Sequence, residues 1–291
     1  MTGVVLADEL GPRARRRVRI ASVAAGVVLL ALVAVALARL ESKDQLEWEK
    51  WEPFTQWGVW RFLLQGLRQT LQVAAAAMVL ALSVGMLLAL GRLARNGPVR
   101  WVTGAFVEFF RGVPLLLLIF FTYIGLPRYG VNISGFWRIV LALFVYNAAV
   151  LAEIFRAGIL SLDRGQSEAA SAIGLPYWGA MRLVILPQAI RRMVPALVSQ
   201  VITLLKDTSL AYIVSFQELL RHGKLNGEFF RNPLQSYFVV ALMFIAINFT
   251  LSRLARRLET RQRRRYSAGA MAVSGVEDLA VVQAQGDSPT K

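Results

Sequence analysis

The chain carries a succession of apolar runs, each close to the roughly 20 residues of helix needed to cross a bilayer core of about 30 Å. Six pass that length test: residues 20–40, 67–90, 101–126, 139–159, 194–216 and 234–251. In lipid every backbone amide must be satisfied within its own segment or by a closed barrel, so runs of this length predict an all-α, polytopic membrane helix bundle. Composition agrees: 56% hydrophobic residues, 18% charged residues and a mean hydropathy of +0.51 are too apolar for one soluble core. The formal charge of +15 does not point to nucleic acid, because the arginines flank the apolar runs instead of alternating with aromatics on a polar face. With no cysteine and a single histidine, His222, neither a disulfide framework nor a thiolate or histidine-rich metal centre is available.

The first run follows Arg13, Arg15, Arg16, Arg17 and Arg19. It is longer than a signal-peptide core and ends at Arg39 without a small-residue cleavage pattern, so it reads as a retained anchor. Basic residues gather at 13–19, 92–100, 156–192 and 253–265, segments that alternate onto one side and mark it as cytoplasmic. Both termini of this multi-pass chain then lie inside. The opposite segments are 41–65, 127–138 and 217–233. The first of them is acidic and holds Trp48, Trp51, Trp57 and Trp60, which suit either an interfacial belt or the packing of a short outer helix. The organisation expected is a basic terminus, anchor and outer segment at 1–61, a spanning domain at 62–257, and a polar tail at 258–291 that cannot bury enough apolar surface to fold.

The cytoplasmic gap before the fifth run reads EAASAIGLPYWGAMRLVILPQ, residues 168–188. Ala169, Ala170 and Ala172 favour a thin helix that another backbone can approach closely. Gly174 supplies a left-handed terminating position, Pro176 suits the first turn of a second helix, and Pro187 should close or kink that helix. An amphipathic hairpin lying on lipid headgroups would share this composition.

The spacing Glu168-Ala169-Ala170, three residues, Gly174, nine residues, Val184, one residue, Leu186-Pro187 resembles the EAA loop of permease subunits of ATP-binding-cassette importers. Val184 stands where that family usually has Ile, a change that keeps shape and polarity. The stretches EFFRGVPLLLLIFF (108–121), EIFRAGILSLDRGQSEAA (153–170) and LPQAIRRMVPAL (186–197) with KDTSLAYIV (206–214) resemble the polar-amino-acid branch. The resemblance covers about 62–257, and the terminal extensions are similar to those of glutamate-type permeases of high-GC Gram-positive bacteria. It implies the type I importer (MetI-like) fold and alternating-access import of a polar amino acid, glutamate or a relative. It also implies coupling to a separate ATPase through Gln166, Glu168, Ala169, Ala170, Gly174, Leu175, Leu186 and Pro187. In that scheme Glu168 pairs with a basic residue of the ATPase. The implied partners are an ATPase dimer, a second and different permease chain, an extracellular amino-acid-binding protein and lipid. ATP and Mg would sit on the ATPase, leaving this chain with no cofactor and no enzymatic site of its own. The residues agree in lacking a phosphate loop: Gly223-Lys224 is followed by Leu225 and preceded by no glycine-rich run.

A translocation path through lipid should be marked by polar groups that hydrocarbon penalises. At a rise of about 1.5 Å per residue, Arg111 lies about 15 Å into its run and Asp207 about 19 Å into its own, both near the midplane. An arginine fork suits a substrate α-carboxylate and an acid suits its ammonium, so Arg111 and Asp207 are the candidate pair. Thr208, Ser209 and the backbone near Gly112 and Pro114 would line the cavity. The alternative is that Arg111 pairs with Asp207, Glu108 or Glu153 and only fixes packing. Lys206 is a third candidate for the path, as is Glu153, but Lys206 cannot face its neighbour Asp207 well on a helix. Glu153 and Arg156 share a helical face and suit a local pair, and Asn147 lines the path or bonds a neighbouring helix. A secondary transporter or channel also uses midplane charges, but the halves show no convincing internal repeat.

Overall fold

The computed structural model describes residues 11–253 and 257; the tail expected at 258–291 lies outside them. Every regular element among the described residues is helical. Helix α1 (Pro12–Glu41) exposes its apolar side chains along its whole length, as a lone anchor in lipid would. Two 3₁₀ turns at Trp48–Lys50 and Glu52–Thr55 lead to α2 (Trp57–Arg92). There follow α3 (Gly97–Gly112), α4 (Leu115–Arg128), α5 (Gly135–Leu160), α6 (Arg164–Ala172), α7 (Tyr177–Val214), α8 (Leu219–Phe229) and α9 (Pro233–Arg253).

The centre of the bundle is the pair α2 and α5. Ala74, Ala77, Ala81, Gly85 and Ala89 of α2 are buried, as are Ala142, Ala148, Ala149 and Ala152 of α5. Small residues let two helices approach closely in lipid, where hydrophobicity gives helices no reason to associate. At Gly85 the approach is at its limit: an added Cβ would stand 3.0 Å from the Ala148 carbonyl oxygen. Larger side chains, Leu143, Leu151, Phe155 and Ile139 among them, fill the remaining core.

Two of the expected spans need correction. Run 101–126 is not one straight helix: α3 and α4 meet at 96° across Gly112–Pro114. Pro114 has no amide to donate and fixes its own φ, so the chain turns there and α4 starts afresh. Pro187, expected to close or kink its helix, does not close it. It sits in the first turn after a π-helical segment, Met181–Ile185, and α7 runs from Tyr177 to Val214 over 38 residues. At about 1.5 Å per residue that is about 57 Å, well beyond the hydrocarbon core, so a single helix joins the segment after Gly174 to the spanning bundle.

The same device recurs in α4, where the π-helical Phe121–Gly125 precedes Leu126-Pro127. A proline ring clashes with the carbonyl four residues earlier and leaves it without a helical donor. Widening the preceding turn relieves the clash, and at Pro127 the freed carbonyl, that of Tyr123, accepts a hydrogen bond from Arg138 Nη1 at 3.2 Å.

The outer tryptophans divide between their two expected roles. Trp51 meets the ring of Phe238 edge-on at 5.8 Å and Trp60 donates to the Phe54 carbonyl at 2.7 Å, whereas Trp48 and Trp57 stay exposed. Buried Asn232 donates to the Lys50 carbonyl at 2.8 Å, and buried Gln235 donates to that of Gln45. These bonds fasten the segment after the anchor to the start of α9.

Candidate functional site

The hairpin of α6 and α7 folds as its residues dictate. Asp163 caps α6 by accepting from the Gly165 amide at 2.8 Å. At the other end Gly174 takes φ +80°, the Leu175 amide bonds the Ala170 carbonyl at 3.1 Å, and the Gly174 amide bonds that of Ser171 at 3.0 Å. That is a Schellman turn, which consumes the carbonyls a helix end leaves open. Pro176 then caps α7, one position before the first turn expected of it.

The hairpin is tied within itself where Gln166 accepts from Gln188 Nε2 at 2.8 Å, and to the bundle where Arg192 donates to the Ser161 carbonyl at 2.8 Å and Arg95 lies 5.2 Å over the Tyr177 ring. Glu168, Ala169 and Gly174 remain exposed, with Ile173 at 76% and Trp178 at 59% beside them; Pro187 is exposed, and Leu175 and Leu186 are half-buried. Ala170 departs from its expected place on the free face. It is 3% exposed and packs inward, because neighbours on a helix point about 100° apart and only one of the two alanines can face out. Glu168 forms no ion pair among the described residues.

The charged path residues assemble differently from the expected Arg111 and Asp207 pair. Glu153 is the hub. Its Oε2 accepts from Arg92 Nη1 at 2.6 Å, its Oε1 from Arg156 Nε at 3.0 Å and from Arg156 Nη2, and Arg111 Nη1 lies 3.9 Å away. Arg92 also reaches Glu108 Oε1 at 3.0 Å. Three arginines thus face two carboxylates, and Arg111 is the one held most loosely. Arg92 ends α2 and Arg156 lies one turn from the end of α5, so the cluster lies at the end of the bundle that carries the hairpin. The break after α3 explains why counting depth along a straight run placed Arg111 at the midplane instead. Arg111 and Asp207 make no ion pair among the described residues.

Asn147 is fully buried, donates to the Leu143 carbonyl at 2.8 Å and accepts from Gln200 Nε2 at 2.7 Å, which links α5 to α7. Thr208 is buried and donates to the Leu205 carbonyl at 2.6 Å, and Ser209 donates to that of Lys206 at 2.7 Å. Their hydroxyls are spent on carbonyls of the preceding turn of α7, where it tightens into a 3₁₀ helix. Lys206 is exposed and Asp207 half-buried. Sequence reading missed Arg92, which passed for a loop cation, and Gln200, whose only signal was an isolated amide on an amphipathic helix.

At the other end of the bundle, Glu218 caps α8 through the amides of Leu220 at 2.8 Å and Arg221 at 2.7 Å, and is fully buried. Thr70 of α2 accepts from the Leu219 amide at 3.1 Å, and the His222 ring lies against Gly66, where a Cβ would come within 2.7 Å of it. Gly223, of the Gly-Lys pair, packs on Val240 inside α8, a helix interior and not a phosphate-binding loop.

Burial pushes the Glu218 carboxyl up to about 7 against the lowering effect of its two amide donors. A carboxyl raised in the fold binds protons that the unfolded chain releases, so stability falls as pH rises from about 4.5 through 7. His222, held below its ordinary value by burial, acts in the opposite direction. The share of Glu218 is therefore the difference between wild type and Glu218→Gln. In detergent, wild type is expected to lose several degrees of melting temperature between pH 5 and pH 8 relative to that variant, an effect of up to about 3 kcal/mol at about 1.4 kcal/mol per pKa unit.

Comparison with known proteins places these features in a family context. Residues 81–264 match the family described as binding-protein-dependent transport system inner membrane component. The glutamate transport system permease protein GluD of Corynebacterium glutamicum is 40% identical over 228 residues, covering 77% of this chain and 84% of that protein. The probable glutamine ABC transporter permease protein GlnP of Bacillus subtilis is 41% identical over 207 residues, covering 69% and 94%. A solved amino acid ABC transporter with histidines superimposes with a TM-score of 0.66 at 33% identity, covering 69% of this chain and 94% of that one.

Proposed function

The chain belongs to the binding-protein-dependent transport system inner membrane component family and is a multi-pass amino-acid ABC importer permease; we propose that its substrate is glutamate or a close relative and that an external ATPase drives it. The observation that carries the coupling reading is the hairpin itself. An exposed Glu168, Ala169 and Ile173 stand on a short rigid helix whose partner, α7, continues unbroken into the membrane. A push on α6 is transmitted along α7 to the α5 contact at Asn147 and Gln200 and on to Asp207, so closure of two ATPase subunits can switch the path between inward-open and outward-open states. ATP and Mg belong to those subunits in this scheme, and the chain itself performs no chemistry.

The remaining partners follow the same logic. A half-pathway of this size pairs with a second permease chain about a two-fold axis, with a different chain favoured, and receives substrate from an extracellular binding protein. The basic loop segments support a cytoplasmic position for both termini. Arg111, the most weakly engaged cation of the Glu153 cluster, is the candidate partner for a substrate carboxylate on the inner side, and Asp207 acts separately on α7. Proteoliposomes holding the chain with its second permease, ATPase and binding protein are expected to accumulate radiolabelled glutamate only with ATP inside the ATPase compartment, and vanadate should stop uptake. Accumulation that persists without ATP, or its absence with all four components present, would overturn the reading.

A further inference from the structure

Helix α2 has three faces in its outer third. Leu63, Gly66, Thr70 and Val73 turn into the core, and Leu64 and Leu71 are exposed and apolar. The remaining face carries Gln65, Arg68, Gln69 and Gln72, the i, i+3, i+4, i+7 spacing of a single helical stripe. Across from it stand Gln217 and His222, and together these six residues line a cavity of about 470 Å³. None of the four glutamines, and not Arg68, makes a hydrogen bond or ion pair with the described residues. A row of amides and a guanidinium at the edge of a spanning helix is poorly suited to lipid, and a water-filled cavity is where such groups are tolerated.

The charge of that cavity is one-sided. Arg68 is the one formally charged residue lining it. The nearby Glu218 does not line the cavity: it is fully buried, and both its carboxyl oxygens are turned away into the α8 amides. His222 spends Nδ1 on the Glu218 carbonyl, 3.0 Å away, and its ring lies 4.5 Å from that of Phe62. We propose that this cavity is an outer vestibule in which Arg68, supported by the glutamine amides, admits amino acids of net negative charge and disfavours those of net positive charge. The inference rests on the importer reading and names its substrate class: a monoanionic acidic amino acid is drawn to the site, a zwitterion less so, and a cation is repelled. A guanidinium fork matches a carboxylate bidentately, and glutamine amides can serve the remaining oxygens and the ammonium without adding charge.

The chain has no cysteine, so Gln72→Cys introduces its one thiol. In the assembled complex with cysteine-free partners, that thiol is challenged with anionic and cationic methanethiosulfonates of equal size, each rate normalised to a free thiol in solution. The anionic reagent is expected to react about tenfold faster, the scale on which a charged cleft concentrates counter-ions. Adding Arg68→Gln should bring the ratio close to one, and Arg68→Lys should keep most of it. Glutamate in the outer bath should slow labelling while lysine does not. A ratio unaffected by Arg68→Gln, equal protection by lysine, or no labelling by either reagent would each overturn the vestibule. ATP-driven glutamate uptake by the wild-type complex separates the two ideas: no uptake with an intact charge preference in the thiol variant sinks the importer reading alone, and uptake without the preference sinks the vestibule alone.

Discussion

Replacing Glu153 with glutamine is expected to be the most damaging conservative change in the transmembrane core. It removes one negative charge from a site where three guanidiniums meet: Arg92 and Arg156 hydrogen-bonded to Glu153 and Arg111 at 3.9 Å. Arg92 is only 16% exposed and Glu153 24%, so solvent does not replace the lost carboxylate fully. Removing one partner of a buried pair costs about 3–5 kcal/mol, and the residual exposure here brings the expectation to about 2–3 kcal/mol. Arg92→Gln should be milder, since Glu153 keeps Arg156 and Arg111. Glu108→Gln should fall within about 0.5 kcal/mol, because Glu108 is 64% exposed and a surface pair contributes little. Melting of the purified complex in detergent, together with ATP-driven uptake, checks this order. A Glu153→Gln protein as stable as Glu108→Gln would show that the cluster does not hold the inner ends of α2, α3 and α5 together.

That cluster also marks where the sequence stops being readable. Apolar length located every spanning run, because the bilayer imposes it directly, and the glycine at 174 was legible because only a residue tolerant of positive φ ends a helix that way. Depth along a run was legible only while the run stayed straight. Beyond the 96° turn after Gly112 that count fails, and Arg111 lies beside Glu153; Pro114 announces a break in 101–126 but not an angle so large. At Pro187 the rule for isolated helices allowed an ending or a kink, and a π-helical turn placed just before it let α7 continue. The stripe of Gln65, Arg68, Gln69 and Gln72 was visible in principle by its helical spacing. It was passed over because the apolar run was taken to begin at 67, which cut the stripe in two.

The two alanines of the hairpin give the sharpest division between docking and folding. Ala169 is exposed and Ala170 is 3% exposed, one residue apart on the same helix. Ala169→Trp adds a large side chain to the free face, where it touches nothing in this chain. The isolated permease is expected to keep its melting temperature, while ATPase co-purification and ATP-driven uptake fall at least tenfold, since a groove fitted to a thin helix cannot admit an indole. Ala170→Leu inserts three heavy atoms into a filled interior and should destabilise the chain by about 1–3 kcal/mol, lowering its melting temperature and yield. Uptake should fall only in proportion to the folded complex recovered. Stability measured on the permease alone and ATPase capture measured on the assembly separate the two effects. If Ala169→Trp still binds the ATPase and transports, the exposed face of α6 is not where force enters, and α7 loses its role as the lever.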